Sequence, residues 1–234
     1  MPRLLPSPTQ DARPAGAAVA LLVLHYTGMQ SAAAAIARLT DPAAKVSAHY
    51  VIDTDGAILA LVPEACRAWH AGVAGWGAIS DVNGQSIGIE LVNPGHDWGY
   101  RPFPAAQIAA LVELGLAIRA RHGLPPGAVV GHSDVAPARK IDPGELFPWA
   151  DLARHGLGVW PAAWACAAPD TGAALGHLRA IGYRPDLPDT TPAKVIAAFQ
   201  RHWRPGRVDG RLDAATMGLI LAVRRLSDPR PGAT

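Results

Sequence analysis

Residues 18–26 read AVALLVLHY, an apolar run that closes on a histidine and a tyrosine. Leucine and valine without polar interruption are typical of a strand that is buried on both faces of a sheet. Two shorter runs have the same character, SIGIELV at 86–92 and AVVG at 128–131. These three stretches predict the inner strands of a β-sheet.

Helix and turn signals separate the predicted strands. Residues 31–39 (SAAAAIARL) are helix formers behind a serine, and residues 104–121 carry apolar side chains at helical spacing. Between these helices, AHYVIDTDGAILALVP at 48–63 contains an Asp-Gly turn, which is typical of a β-hairpin. Residues 133–149 show neither period and are predicted as a loop. The mixture of strands and helices predicts an α/β fold.

The composition changes after about residue 160. Three helical stretches follow, each with threonine or aspartate near its start, at 171–183, 190–203 and 213–226. The chain is therefore predicted to have three parts. These are an N-terminal extension at 1–16, an α/β domain at 17–160 and a small three-helix domain at 165–230.

The bulk composition is that of a globular protein, with 50% apolar and 17% charged residues. A net charge of +2 gives no indication of a nucleic-acid partner. The longest apolar run near the N-terminus, 15–24, is too short for a transmembrane segment. The two cysteines, Cys66 and Cys166, form neither a disulfide framework nor a CxxC zinc pair.

The first 16 residues contain four prolines and lack the apolar segment of a secretory signal. We therefore expect a cytoplasmic location. A periplasmic or outer-membrane-associated location is the alternative.

Three polar residues, His25, Glu90 and His132, stand within or at the ends of the apolar strands. Side chains at strand ends converge on one sheet edge, where ligand sites of α/β folds lie. Asp142 follows His132 by ten residues. His25, His132 and Asp142 supply two imidazoles and one carboxylate, which is a catalytic zinc set with one open position for water.

Two other metals, iron and magnesium, fit this set of residues less well than zinc does. Non-haem iron oxygenases also use two histidines and a carboxylate, but there the first histidine and the acid lie close in sequence. His25 has no acidic partner of that kind. Magnesium prefers oxygen ligands, so two imidazoles argue against it.

Five stretches of the chain resemble the zinc-dependent N-acetylmuramoyl-L-alanine amidases of the AmpD and AmiD type, and a sixth resembles the AmiD-like branch. The five are VLHYT (23–27), VSAHYVIDTDG (46–56), RAWHAG (67–72), SIGIELVN (86–93) and GHSDVAPARKIDPG (131–144). The sixth is LFPWADLARHGLGVWP (146–161). The 131–144 stretch is highly specific because it fixes a histidine, a lysine and an aspartate at set spacings.

The resemblance implies a fold, a substrate and a set of roles. The fold is a mixed central sheet flanked by helices. The substrate is the amide bond between N-acetylmuramic acid and L-alanine in peptidoglycan fragments or muropeptides. His25, His132 and Asp142 match the Zn²⁺ ligands, Glu90 the residue that activates water, and Lys140 the residue that stabilises the oxyanion.

Several aromatic and polar residues have two equally weighted interpretations: they line a substrate groove, or they are packing residues. They are His49, Trp69, His70, Trp76 and Asn83. His49 has a third interpretation, as a residue that orients a metal ligand from behind.

The C-terminal stretch 199–216 contains FQ…VDG.LDAAT and resembles the peptidoglycan-binding domain of many wall hydrolases. Asp213 is expected to cap its third helix, and Tyr183 or Trp203 to supply an aromatic binding surface. The alternative is a three-helix appendage that only stabilises the first domain or a dimer.

Two further functions compete with the amidase. The first is a non-catalytic peptidoglycan receptor on the same fold. The chain keeps all three expected metal ligands, together with Glu90 and Lys140, and this argues against a receptor. The second is a zinc peptidase that cuts within the stem peptide. Product analysis separates the second from an amidase.

Overall fold

The computed structural model describes residues 2–227, which form a central β-sheet, the helices around it and a C-terminal group of helices. The strands are β1 (Arg3–Leu4), β2 (Gln10–Ala12), β3 (Leu21–Tyr26), β4 (Tyr50–Ile52), β5 (Ile58–Ala60), β6 (Cys66–Ala68), β7 (Ser86–Leu91) and β8 (Val129–Gly131). The helices are α1 (Ala32–Thr40), α2 (Ala105–His122), α3 (His132–Val135), α4 (Trp149–Arg154), α5 (Thr171–Ile181), α6 (Pro192–Trp203) and α7 (Ala214–Ser227). None of these helices has the length and apolar character needed to cross a bilayer.

The central sheet has six strands in the order β1-β5-β4-β7-β3-β8. Strands β4, β7, β3 and β8 run parallel to one another, whereas β5 is antiparallel to β4. The sheet is therefore mixed and flanked by helices, as predicted. The three apolar runs of the sequence form its neighbouring strands β7, β3 and β8.

Each inner strand presents two different faces. Ile87 and Ile89 of β7, and Leu24 of β3, lie in the apolar cluster that includes α2. Because successive side chains of a strand point to opposite faces, Glu90 and His25 lie on the face away from α2. The sheet thus divides a large apolar core from the face that carries the polar residues.

Local signals account for several helix ends. The Ser31 side chain accepts a hydrogen bond from the Ala34 N–H and so caps α1. Helix α2 ends at Gly123, which has a φ of 64° and adopts the left-handed conformation that glycine favours. The loop predicted at 133–149 is corrected, because α3 overlaps its start and α4 begins at its last residue. Asp134 stabilises the single turn of α3 by accepting a hydrogen bond from the Gly131 N–H.

The predicted extension at 1–16 contains two short strands that pair with the rest of the fold. Strand β1 pairs parallel with β5, and β2 pairs antiparallel with β6. Arg13 then ties the segment to the sheet by donating hydrogen bonds to the carbonyl oxygens of Glu64, Gly84 and Ser86. Residue 1 lies outside the described residues.

Helices α5, α6 and α7 share an apolar cluster of their own. Asp213 accepts a hydrogen bond from the Thr216 N–H and caps α7, as predicted. Tyr183 and Trp203 lie in this cluster, only 0% and 6% exposed, so the predicted aromatic binding surface is wrong for both. Trp160 packs against this cluster and against the core of the sheet. The division into domains stays a prediction, and residues 228–230 of the third one lie outside the described residues.

Candidate active site

His25, His132 and Asp142 meet at the carboxyl ends of the parallel strands. His25 Nδ1 lies 2.9 Å from His132 Nδ1, and Asp142 Oδ2 lies 3.1 and 3.0 Å from these two nitrogens. All three side chains are buried. Within residues 2–227, no other group of three histidine, cysteine or acidic side chains has metal-binding geometry.

Strand register places these groups together. His25 stands directly beside Glu90 in the parallel pair of β3 and β7. Gly131 stands beside Leu24, so the next residue, His132, enters α3 at the level of His25. The 136–141 loop then returns the chain, and the Ser133 N–H donates to the Asp142 carbonyl oxygen. The sequence prediction that strand ends bring these residues together is confirmed.

The donor set fits a metal ion. His132 Nε2 lies 3.0 Å from the Ala71 carbonyl oxygen, which can only accept, so the imidazole proton is on Nε2. His132 Nδ1 therefore presents a lone pair to the Asp142 carboxylate, and two acceptors 3.0 Å apart need a cation or a proton between them. The separations of 2.9–3.1 Å are close to the value of about 3.3 Å between ligands of tetrahedral zinc.

The surroundings favour a neutral His25 and an ionised Asp142. Burial, followed by the proximity of His132, lowers the pKa of His25 to about 4. Burial opposes ionisation of Asp142, but the contacts with His132 and His25 outweigh it and hold the pKa of this carboxyl below its ordinary value. Two neutral imidazoles and one carboxylate are the protonation states that divalent metals bind.

Glu90 lies beside the cluster at the floor of a cleft of about 450 Å³. Burial, followed by the negative charge of Asp142, raises the pKa of Glu90 well above its ordinary value, and Lys140 opposes this shift. Glu90 Oε2 is buried without a hydrogen-bond partner among residues 2–227. A carboxyl with a raised pKa and a free oxygen next to a metal site is suited to exchange a proton.

Lys140 lines the same cleft, two residues before Asp142. Its ammonium makes no hydrogen bond or ion pair with any side chain of the described chain. Arg139, by contrast, is held by the Ala71 and Val73 carbonyl oxygens. Lys140 is therefore free to meet a ligand in the cleft.

The residues with two interpretations divide into two groups. Trp69 and His70 line the cleft. His49 is fully buried outside it: its Nδ1 accepts from the Gly88 N–H, and its Nε2 lies 3.2 Å from the Cys66 carbonyl oxygen. The predicted substrate contact of His49 is therefore wrong, and so is a direct bond to a metal ligand.

Asn83 and Trp76 also lie outside the cleft. Asn83 Oδ1 accepts hydrogen bonds from the N–H groups of His70 and Ala71, so Asn83 shapes the cleft wall from behind. Trp76 packs edge-on against Tyr183, with ring centroids 4.9 Å apart. The predicted substrate contact of Asn83 is wrong in this structure, and both residues are packing residues.

Several cleft residues escaped the sequence analysis. Tyr26, Arg38 and Asp97 line the cleft from β3, α1 and the 92–104 loop. Tyr26 carried a usable signal, because it directly follows His25 on the same strand. Arg38 and Asp97 are charged surface residues whose position follows only from the packing of distant segments.

Residues 15–145 match the sequence pattern of the N-acetylmuramoyl-L-alanine amidases. AmiD, an N-acetylmuramoyl-L-alanine amidase of Escherichia coli K12, is 40% identical over 229 residues. The alignment covers 88% of this chain and 82% of AmiD. The chain belongs to this amidase family.

The similarity of the amidase to AmiD extends to the three-dimensional structure. Escherichia coli AmiD in complex with the substrate anhydro-N-acetylmuramic acid-L-Ala-D-γ-Glu-L-Lys superposes with a TM-score of 0.80 and 39% identity. The match covers 91% of the amidase and 92% of AmiD. The 1,6-anhydro-N-acetylmuramyl-L-alanine amidase AmpD of Citrobacter freundii is 36% identical over 166 residues, which is 63% of this chain and 86% of AmpD. The longer match supports the AmiD-like branch.

Proposed function

We propose that this amidase hydrolyses the bond between N-acetylmuramic acid and L-alanine in muropeptides, with zinc held by His25, His132 and Asp142. The observation that carries the proposal is the position of Glu90, in register with His25 at the floor of the cleft. A general base beside three metal ligands is the minimum that amide hydrolysis by a metal-activated water requires.

A zinc ion held by His25, His132 and Asp142 would supply a nucleophilic water at neutral pH and would polarise the scissile carbonyl. Glu90 takes the proton of the attacking water and delivers it to the leaving nitrogen of L-alanine. The burial that raises its pKa makes this carboxyl a stronger base than an exposed one and a competent acid afterwards.

Lys140 stabilises the negative charge that develops on the carbonyl oxygen. Its ammonium lines the cleft without a competing partner, so this positive charge need not leave an ion pair before the reaction. Trp69 offers the cleft a half-buried aromatic surface against which a sugar or peptide packs.

Product analysis tests this assignment. The purified chain with added zinc is incubated with an anhydro-muropeptide, and the products are identified by mass spectrometry. Release of a peptide with a free L-alanine N-terminus supports the amidase. Release of D-alanine points to the zinc peptidase, and no product with bound muropeptide points to the receptor.

Peptidoglycan binding by the C-terminal helices remains a proposal, supported by the FQ…VDG.LDAAT stretch. The buried positions of Tyr183 and Trp203 require that any such surface uses other residues. Co-sedimentation of the full chain with insoluble peptidoglycan tests it.

The cytoplasmic location also remains a prediction. Fractionation of cells that express a C-terminally tagged chain distinguishes it from the periplasmic or outer-membrane-associated alternative.

A further inference from the structure

A buried chain of hydrogen bonds runs from strand β7 to His25. Ser86 Oγ donates to the Val82 carbonyl oxygen, because a carbonyl can only accept. Ser86 Oγ therefore accepts the proton of His70 Nε2, which lies 3.0 Å away. In a neutral imidazole the other nitrogen then carries the lone pair, so His70 Nδ1 is an acceptor.

His70 Nδ1 lies 3.0 Å from His25 Nε2. Because this nitrogen of His70 accepts, His25 must carry its proton on Nε2. A neutral His25 then has its lone pair on Nδ1, the atom that faces His132 and Asp142. The chain of bonds thus fixes both the orientation of the His25 ring and its tautomer.

The backbone of β7 is shaped to hold His70. A Cβ atom on Gly88 would lie only 2.5 Å from His70 Cγ, so the imidazole rests on the bare backbone of Gly88. Ser86, Gly88 and Glu90 share one face of the strand because their spacing is two residues. One strand face therefore carries the acceptor for His70, the space for its ring and the proposed general base.

We propose that His70 and Ser86 are positioning residues that set the metal-binding tautomer of His25. This role rests on the proposed function of His25 as a zinc ligand. Without the Ser86 hydroxyl, His70 Nε2–H loses its acceptor and the tautomer with the proton on Nδ1 becomes accessible. That proton would face His25 Nε2–H, and the conflict moves the His25 proton to Nδ1, where it blocks the metal.

The primary test compares the zinc affinity of three variants with that of wild type by chelator competition at neutral pH. Ser86→Ala removes the hydroxyl, and we expect zinc binding to weaken by about 10–100-fold, the usual effect of losing a partner of a metal ligand. Ser86→Thr keeps a hydroxyl and restores binding to within about threefold of Ser86 itself.

Ser7→Ala is the matched control. Ser7 is also a buried serine, and its hydroxyl donates to the Leu39 carbonyl oxygen without touching the metal cluster. We expect no change in its zinc affinity. The proposal is wrong if Ser86→Ala binds zinc as tightly as wild type. It is also wrong if the zinc affinity of Ser86→Thr is as low as that of Ser86→Ala, because the hydroxyl then does not act through hydrogen bonding.

A second readout does not depend on zinc. Nitrogen-15 NMR of the imidazoles in the metal-free protein reports which ring nitrogen carries the proton. We expect His25 to be protonated on Nε2 in wild type and to gain the Nδ1 form in Ser86→Ala. Gly88→Ala displaces the His70 ring by a different route and should have the same effect on tautomer and affinity.

Failure of the proposed metal function and failure of the positioning role give different results. If wild type binds no zinc, the proposed metal function is wrong. If wild type binds zinc and is active but His25 carries its proton on Nδ1 in the metal-free state, only the positioning role is overturned.

Discussion

Asp134 and Asp142 lie eight residues apart, and both are buried beside histidine. Asp134 is saturated by donors. Its Oδ1 accepts from the Tyr183 hydroxyl, and its Oδ2 accepts from the Gly131 N–H and lies 2.7 Å from His202 Nδ1. These bonds join α3, which begins with the proposed metal ligand His132, to the C-terminal helices. Asp134 therefore has a structural role.

Asp142 faces hydrogen-bond acceptors, whereas Asp134 faces donors. Its Oδ2 faces two imidazole nitrogens, and the other nitrogen of each ring is engaged: that of His132 by the Ala71 carbonyl oxygen and that of His25 by His70. With both ring protons directed outward, three acceptors face one another and favour a cation. The same residue types thus form a structural contact at Asp134 and the proposed metal site at Asp142, according to where the imidazole protons point.

Removing the carboxylate at the metal site should have the largest effect. Asp142→Asn deletes a charged ligand, and we expect zinc affinity to fall by more than about 100-fold, beyond the effect of losing an outer partner. Amidase activity on an anhydro-muropeptide should fall to background. Chelator competition and product release measure both, and retention of stoichiometric tight zinc would contradict the assignment of Asp142.

Glu90→Gln keeps the shape of the side chain but removes the base. We expect kcat to fall by about 10²–10⁴-fold, because proton transfer contributes that much in related chemistry. Zinc affinity should stay within about tenfold of wild type, since Glu90 stands beside the ligands and is not one of them. Steady-state kinetics and chelator competition on the same preparation separate the two effects. Wild-type turnover by this variant would eliminate Glu90 as the base.

Loss of the Asp134 carboxylate should lower the free energy of unfolding. Asp134→Ala leaves three buried donors without an acceptor, and we expect a cost of about 3 kcal/mol, or a Tm lower by about 6–12 °C. Tyr183→Phe removes one hydrogen bond only and should cost about 1 kcal/mol. Calorimetry measures both variants. If Asp134→Ala bound zinc at 25 °C as poorly as Asp142→Asn does, Asp134 would not have a purely structural role.

Glu64 offers a third carboxylate with a smaller, pH-dependent effect. Burial alone would raise its pKa, but hydrogen bonds from Arg121, Tyr50 and His122 lower it to about 2. A lowered pKa stabilises the fold above the ordinary value of 4.5, and this contribution is lost as the pH falls from 4.5 towards 2.

Glu64→Gln should therefore destabilise the protein at pH 7 by about 1–2 kcal/mol, discounted for the partial exposure of the carboxylate. The gap in Tm between the variant and wild type should narrow as the pH falls from 4.5 to 3. A gap that is independent of pH would show that the ionised form of Glu64 contributes nothing to stability.

Much of the fold could be predicted because its signals are local. The apolar runs, the Asp-Gly hairpin and the helix starts each depend on a few neighbouring residues, and they gave the α/β class and the strands that carry His25 and Glu90. The N-terminal strands were missed, because a pairing of two or three residues has no periodicity to detect.

The site was predictable only where chemistry is tied to spacing. His132, Lys140 and Asp142 lie within one stretch of 11 residues, so their sequence positions sufficed. The relation of His70 to Ser86 depends on tertiary packing of the 69–72 loop on β7, which no local pattern reports. A serine at the start of a mainly apolar buried strand was the one available signal for Ser86. The burial of Trp203 and Tyr183 was missed for the same reason, since helical periodicity does not identify the partner of a helix face.

The face of β7 that carries Ser86, Gly88 and Glu90 has a consequence for how this enzyme can be altered. Loops around the cleft can change length without moving these residues relative to one another. Deleting a single residue inside β7 would shift the alternation by one and turn the residues of that face towards the apolar core. The proton acceptor for His70, the room for its ring and the proposed base would be lost in one step. Redesign of this site therefore has almost no freedom in the side-chain alternation of this strand.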